Sequence, residues 1–191
     1  MSSGELIVDE IQSLSGLLTF QKPFHETGSI IQTRYSRTDN MSSWSCPLSV
    51  AGTVVTPLSI DITPKYSNSL LTIEWMINGE TYHDFGFLIY QNELPITTTG
   101  YQGQNNTDLN STKYNYVVGR YDAANENSST PMNYYLQYNT ISGSTQSRSY
   151  NIAVRATSSA TTFWLNRTFG SAGAASYENL VSSVLIMEIK Q

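Results

Sequence analysis

Few side chains in this sequence are suited to catalysis. The chain contains two histidines, His25 and His83, and one cysteine, Cys46. His83 directly precedes Asp84, but neighbouring residues of a strand point to opposite faces, and the sequence has no Gly-x-Ser-x-Gly turn to present a nucleophilic serine. We therefore expect His83 to be a surface residue of a turn rather than the base of a Ser-His-Asp relay.

The acidic residues offer one further chemistry, glycoside hydrolysis, which needs two carboxylates within ~5–10 Å of each other across a cleft. The candidates are Glu74, Glu80, Asp84, Glu93 and Asp108. They are few and form no motif. The sequence also lacks the ligand spacings of zinc and calcium sites, and no glycine-rich phosphate loop precedes a helix. We expect no metal and no cofactor, and the chain is predicted not to be an enzyme.

The charged residues are sparse and scattered. They make up 13% of the chain, with a net charge of −5, and the basic residues run from Lys22 to Lys190 without a cluster. Nucleic-acid binding needs grouped Lys and Arg to neutralise phosphates. No stretch approaches the ~20 apolar residues of a membrane span, and the N-terminus has no secretory signal pattern. We expect a soluble cytosolic product that binds neither nucleic acid nor membrane, with Cys46 as a small buried residue.

Alternation of apolar and polar residues predicts short strands along most of the chain. The clearest strands are expected at 71–78, 85–90 and 150–156, with Gly79 interpreted as a turn after the first. Weaker strands are predicted at 29–37, 54–62, 114–120, 133–139, 161–167 and 180–190. About nine strands separated by turn residues predict an all-β domain, a jelly roll or antiparallel β-sandwich.

The first 28 residues differ from this pattern, so the domain is predicted to span 29–191, with 1–28 as an N-terminal arm or docking segment. Leu6, Ile7, Ile11 and Leu14 fit either a short helix or an extended arm. Apolar residues outside a core need a surface to cover them. These four residues are therefore the predicted contacts that dock the chain to a larger particle.

The last predicted strand carries apolar residues on both faces. Val184, Leu185, Met187 and Ile189 break the alternation seen elsewhere. Such a strand either lies in the centre of a covered sheet or has its outer face buried by another subunit. The second alternative makes these four residues a predicted oligomer interface.

Two long polar loops, 97–112 and 122–131, are the predicted exposed contact regions. Tyrosines are concentrated around them, and Tyr101, Tyr121 and Trp164 are candidates for stacking on a host surface glycan or a protein partner. The alternative is that the tyrosines fill strand positions, where their propensity is high.

Three segments of the sequence resemble small structural proteins of tailed phages, especially those that infect marine cyanobacteria. The segments are IDITPKYSNSLLTI at 60–73, YNIAVR with FWLNR at 150–155 and 163–167, and VLIMEI at 184–189. The resemblance covers roughly residues 28 to 190. It implies a virion jelly roll, often trimeric, of the kind found in tail fibres, appendages or head-decoration proteins, and it supplies no catalytic residue.

The expected function is therefore that of a phage virion structural protein. It would form a homotrimer, contact other virion proteins, and reside in the virion after synthesis in the host cytoplasm. Because the arm is short and the sequence has no collagen-like or coiled-coil shaft, we expect head decoration or cementing as an alternative to a tail-fibre role. The alternative is a carbohydrate- or receptor-binding module that uses its Tyr-rich loops on the host cell surface.

Overall fold

The computed structural model describes residues 26–49, 51–96, 116–118, 132–168 and 180–191. Within these ranges the chain is built from strands, and its one helical element is a 3-10 turn at Thr56–Leu58. None of the described elements is a helix that could cross a membrane. The predicted all-β class is confirmed.

Twelve strands are present in the described residues. Their bounds are β1 Ile30–Thr38, β2 Ser43–Cys46, β3 Thr53–Val54, β4 Ile60–Ile62, β5 Leu70–Glu80, β6 Phe85–Gln91, β7 Leu94–Pro95, β8 Tyr116–Val118, β9 Met132–Ile141, β10 Arg148–Ala156, β11 Thr161–Leu165 and β12 Ser182–Ile189.

The strands form two antiparallel sheets, which we call the front and back sheets. In the front sheet β5 is central. One edge of β5 pairs with β9, and the other edge pairs with β12 along most of its length and with β11 at its end. β1 continues the sheet beyond β12, and β2 continues it beyond β11. In the back sheet β10 pairs with β6, β3 and β4 pair with β10, and β7 and β8 pair with β6.

The strand order is that of a jelly roll. If β3 and β4 are taken as one broken edge strand and the short β2, β7 and β11 are set aside, eight strands remain. Numbered along the chain, they follow the order first, eighth, third, sixth in the front sheet and second, seventh, fourth, fifth in the back sheet. Successive strands therefore cross between the sheets, except for the fourth and fifth, which are neighbours in the back sheet, and this is the pattern of two Greek keys.

The core lies between the sheets and is rich in aromatic residues. Phe85, Phe87, Tyr134 and Phe163 contact one another, with ring centroids 5.1 to 5.9 Å apart, several of them edge to face. Edge-to-face pairs add about 0.5–1.5 kcal/mol to the burial of apolar area. Cys46 joins this core as predicted, and burial raises the pKa of its thiol to about 12.

All nine predicted strands are found, and the differences from prediction have local causes. The predicted strand 54–62 is divided into β3 and β4, because Pro57 lies in the 3-10 turn between them. β2 and β7, only four and two residues long, were not predicted. Strands this short show too little alternation to be recognised.

Gly79 is not a turn residue, contrary to prediction, but lies within β5. A Cβ built at this position would lie 2.5 Å from the Trp164 carbonyl oxygen and 2.7 Å from Cζ of Phe163. A glycine is needed here because β11 approaches the β5 backbone closely.

Asn166 lies where the edge of β5 changes its partner from β12 to β11. Its backbone has a positive φ of 57° and ends β11. The side-chain Nδ2 donates to the carbonyl oxygens of Thr38 and Asn40, and its Oδ1 accepts a hydrogen bond from Ser182. Its backbone N–H donates to the Asn78 carbonyl oxygen. One buried residue therefore joins the ends of β1, β5 and β11 to the start of β12.

Replacing Asn166 by Ala should lower the free energy of unfolding by about 2–4 kcal/mol, because part-buried carbonyl oxygens and the Ser182 hydroxyl lose their partner and alanine is strained at positive φ. Asn166→Gly removes the same hydrogen bonds without the strain and should recover about 1 kcal/mol of that loss. Urea unfolding of the three proteins measures both differences. Equal stability of Asn166→Ala and the unchanged protein would contradict this role.

Candidate interaction surface

The outer side of the front sheet, called the front face here, is formed by four adjacent strands. Cross-strand pairing aligns its residues in four rows, running from β1 through β12 and β5 to β9. The rows are Ile30, Ile189, Leu70 and Ile141; Thr33, Met187, Thr72 and Asn139; Tyr35, Leu185, Glu74 and Gln137; and Arg37, Ser183, Met76 and Tyr135. The first row is entirely aliphatic.

Large apolar and aromatic side chains are exposed on this face. The exposed fractions are 62% for Tyr35, 56% for Ile30, 53% for Ile141, 52% for Tyr135 and 43% for Met76. Among the described residues, the other exposed large hydrophobic side chains are Met41, Leu48 and Leu94, which lie outside this face. Single exposed apolar residues are ordinary, whereas a contiguous group marks a contact surface.

The polar residues of the front face are mostly amides and hydroxyls. Nδ2 of Asn133 donates to Oδ1 of Asn78 at 3.1 Å, and Nε2 of Gln137 lies 3.5 Å from Oε1 of Glu74. Desolvation raises the pKa of Tyr135, and its hydrogen bond and proximity to the Glu74 carboxylate raise it further. Amide and hydroxyl groups cost less to desolvate than charges do, so this face is suited to burial against a partner.

The predicted interface residues of β12 divide between the two sides of the sheet. Leu185, Met187 and Ile189 lie on the front face and are partly exposed, whereas Val184 points inward. Val184 is completely buried in the core, as is its neighbour on that side, Ile186. Including Val184 in the interface was therefore wrong, because residues one apart in a strand face opposite sides.

Trp164 is also not the exposed platform that was predicted. It is buried, and its ring packs edge-on against Tyr82 with the centroids 4.9 Å apart. A ring packed in this way cannot stack on a sugar without displacing its neighbour. The other predicted contacts, Tyr101 and Tyr121 in the loops and Leu6, Ile7, Ile11 and Leu14 in the arm, lie outside the described residues.

The two candidate catalytic carboxylates of β5 lie apart from each other. Glu74 and Glu80 both belong to β5, about 20 Å from each other along the strand, whereas the carboxylates of glycosidases lie within ~10 Å. Glu80 is buried, and His83 is half-buried in the turn before β6. No cluster of three metal-binding side chains occurs in the described part of the chain. Asp108 lies outside the described residues.

One carboxylate that was not among the predicted functional residues, Glu188 on β12, is surrounded by hydrogen-bond donors. Its side chain is fully buried and accepts hydrogen bonds from the backbone N–H groups of Lys65 and Tyr66, Oγ of Ser69 and Nε2 of Gln32. These donors come from β1 and from the loop between β4 and β5. The signal was present in the sequence, because Glu188 has the inward register of Val184 and Ile186.

Glu188 is held as an anion. Burial by itself raises the pKa of its carboxyl, but the hydrogen bonds from Gln32, Lys65, Ser69 and Tyr66 favour the charged form and together lower the pKa below its ordinary value. All of these donors are groups of the chain itself, held in place by β1 and by the loop between β4 and β5. The carboxylate therefore acts as a clasp that fixes the loop to the front sheet, and it is not a candidate for acid-base catalysis.

No protein-family model matches the chain, and no curated protein does.

Replacing Glu188 by Gln should lower the free energy of unfolding at pH 7 by about 2–4 kcal/mol, since an amide –NH₂ would face backbone donors. The carboxyl's lowered pKa means that its stabilising contribution is present above pH 4.5, the ordinary value, and is lost as the pH falls below it. The difference between the two proteins should therefore shrink in acid. Denaturant unfolding from pH 7 to pH 3 tests this, and a constant difference would argue against an ionised clasp.

Proposed function

We propose that this protein is a virion structural protein whose jelly roll assembles with copies of itself and with other particle proteins. The observation that carries the proposal is the front face, where exposed aromatic and aliphatic side chains form a continuous surface. Burial of apolar area yields roughly 25 cal/mol per Å². A surface of this kind favours association over exposure to water.

The size of the front face is compatible with a protein contact. Strands ~4.8 Å apart and residues ~3.4 Å apart give four strands of eight residues an area of about 500 Å². Two such surfaces would bury about 1,000 Å² in total, the lower bound for a specific interface. The breadth of the face favours the same use, because the face of a four-stranded sheet offers a broad surface, whereas a small ligand needs a concave site.

The virion assignment comes from the resemblance of segments 60–73, 150–155, 163–167 and 184–189 to phage structural proteins. On this proposal the protein decorates or cements a phage head, or forms part of a tail fibre or appendage. The apolar front face is an independent reason to expect assembly.

Binding of a host glycan, the alternative function, loses one of its three candidate residues because Trp164 is buried. The front face does not replace it, since Tyr35 on β1 and Tyr135 on β9 are separated by β12 and β5, about 14 Å across the sheet, and cannot converge on one sugar ring. Assembly is therefore the better-supported function.

Replacing Tyr35 by Lys tests assembly through the front face. Tyr35 is the most exposed aromatic side chain on the face, so the change should leave the fold intact while placing a charge in the interface. Light scattering during size-exclusion chromatography should show an oligomer for the unchanged chain. The variant should be mainly monomeric at the same concentration, and its fold should be unchanged.

The matched control is Ser159→Lys, which adds the same charge in the exposed turn between β10 and β11. It should keep the mass of the unchanged chain. A monomeric unchanged chain at high concentration, or an oligomer that survives Tyr35→Lys, would count against the front face as the assembly surface.

A further inference from the structure

The chain enters the front sheet through a β-turn. The backbone N–H of Ser29 donates to the Glu26 carbonyl oxygen at 3.0 Å, and Gly28 between them has a positive φ of 88°. A positive φ at the third position is typical of a type II turn. The N–H of Gly28 donates to the Lys190 carbonyl oxygen at 2.8 Å, which fixes the turn to the end of β12. Because a β-turn reverses the chain, the residues before Glu26 are directed back toward the sheet.

This turn lies beside the aliphatic row of the front face. The row consists of Ile30, Ile189, Leu70 and Ile141. Its two end residues, Ile30 and Ile141, are each more than half exposed, and the two between them are partly exposed. Ile30 directly follows the turn, so the row begins at the point where the reversed chain reaches the sheet.

The other sides of β1 are less suited to receive the reversed chain. The inner side of β1 packs against β4 and the 3-10 turn. Among the described residues β1 pairs with β12 alone, but its pairing shifts between Ile30 and Gln32, and such a bulge disfavours regular pairing of a further strand along the free edge. The front face offers exposed apolar side chains next to the turn, and burial of these side chains is favourable.

The residues before the turn have the composition and length to cover the row. Leu17, Leu18, Phe20 and Phe24 lie within nine residues of Glu26. Leu18 and Phe20 alternate with polar residues, a pattern typical of an extended chain with one apolar side. The four strands of the row are about 14 Å across, and an extended residue spans about 3.3 Å. About five residues are therefore enough to cross the row.

We propose that residues 17–24 fold back across the aliphatic row of their own chain and cover it, with Leu18 and Phe20 facing the sheet. The turn ties this segment to the row, so its docking avoids the loss of freedom that binding a separate molecule entails. The inference goes beyond the proposed assembly, because it assigns one row of the front face to the chain itself. The remaining three rows, which include Tyr35 and Tyr135, are left for assembly.

Nuclear magnetic resonance of the full chain, labelled at isoleucine methyl groups and phenylalanine rings, tests the contact. Nuclear Overhauser effects should connect the ring of Phe20 to the methyl groups of Ile30 and Ile189. Phe20→Leu keeps the segment apolar but removes the ring current, so the resonances of these methyl groups should move. The methyl resonance of Ile73, which is buried in the core, should not move.

Two substitutions of neighbouring residues supply a matched pair. Leu18→Asp places a charge against the sheet and should abolish the Overhauser effects between Phe20 and the row. Thr19→Asp places the same charge on the opposite side of an extended chain and should preserve them. Thermal unfolding of both variants verifies that the sandwich is intact.

Mixing copies that carry different isotope labels shows whether the contact lies within one chain. Effects confined to single copies support the proposal. It is overturned by effects seen only between copies, by none between Phe20 and the row, or by equal losses in Leu18→Asp and Thr19→Asp. A chain that is monomeric at every concentration would overturn the proposed assembly, while the contacts within the chain would remain.

Discussion

The front sheet depends on the hydrogen bonds of one buried amide, that of Asn166. β5 is longer than either strand beside it on that edge, so β12 and β11 share the edge and leave a gap between them. Backbone groups next to such a gap have lost their ladder partners, and each would be costly to bury unsatisfied. Asn166 supplies two donors and one acceptor there, and Asn78 and Ser182 complete the network with hydrogen bonds of their own.

A second polar site, the Glu188 clasp, organises the opposite end of the same sheet. Its carboxylate fixes the loop between β4 and β5. The Ser142 hydroxyl donates a hydrogen bond to the same loop, at the Tyr66 carbonyl oxygen. Arg148 then holds the turn after β9 through the carbonyl oxygens of Ser142 and Ser144. The two ends of the sandwich are thus closed by buried polar groups, while the apolar core between them supplies the bulk of the stabilisation.

The strands could be predicted from the sequence, whereas their junctions could not. Alternation records which side of a strand is buried, and this was enough to find β5, β6 and β10. Contacts between residues distant in sequence leave no local pattern, so the close approach of β11 to Gly79 and the network around Asn166 were not foreseen. Val184 and Trp164 were predicted to be exposed contact residues from their residue types. Both are buried, because register and packing decide which side of a sheet a residue occupies.

The segments on which the proposed virion role is based contain the polar sites that hold the fold together. Ser69 and the Lys65–Tyr66 backbone lie in the first segment, Asn166 lies in another, and Glu188 lies in the last. Similar residues at such places reflect what a jelly roll needs in order to close its sheets, so they carry more information about fold than about role. Tyr35 and Tyr135 lie outside those segments and do not contribute to the core. Their exposure is not required by the fold, and an exposed apolar surface that the fold does not require is the part of this molecule best explained by assembly.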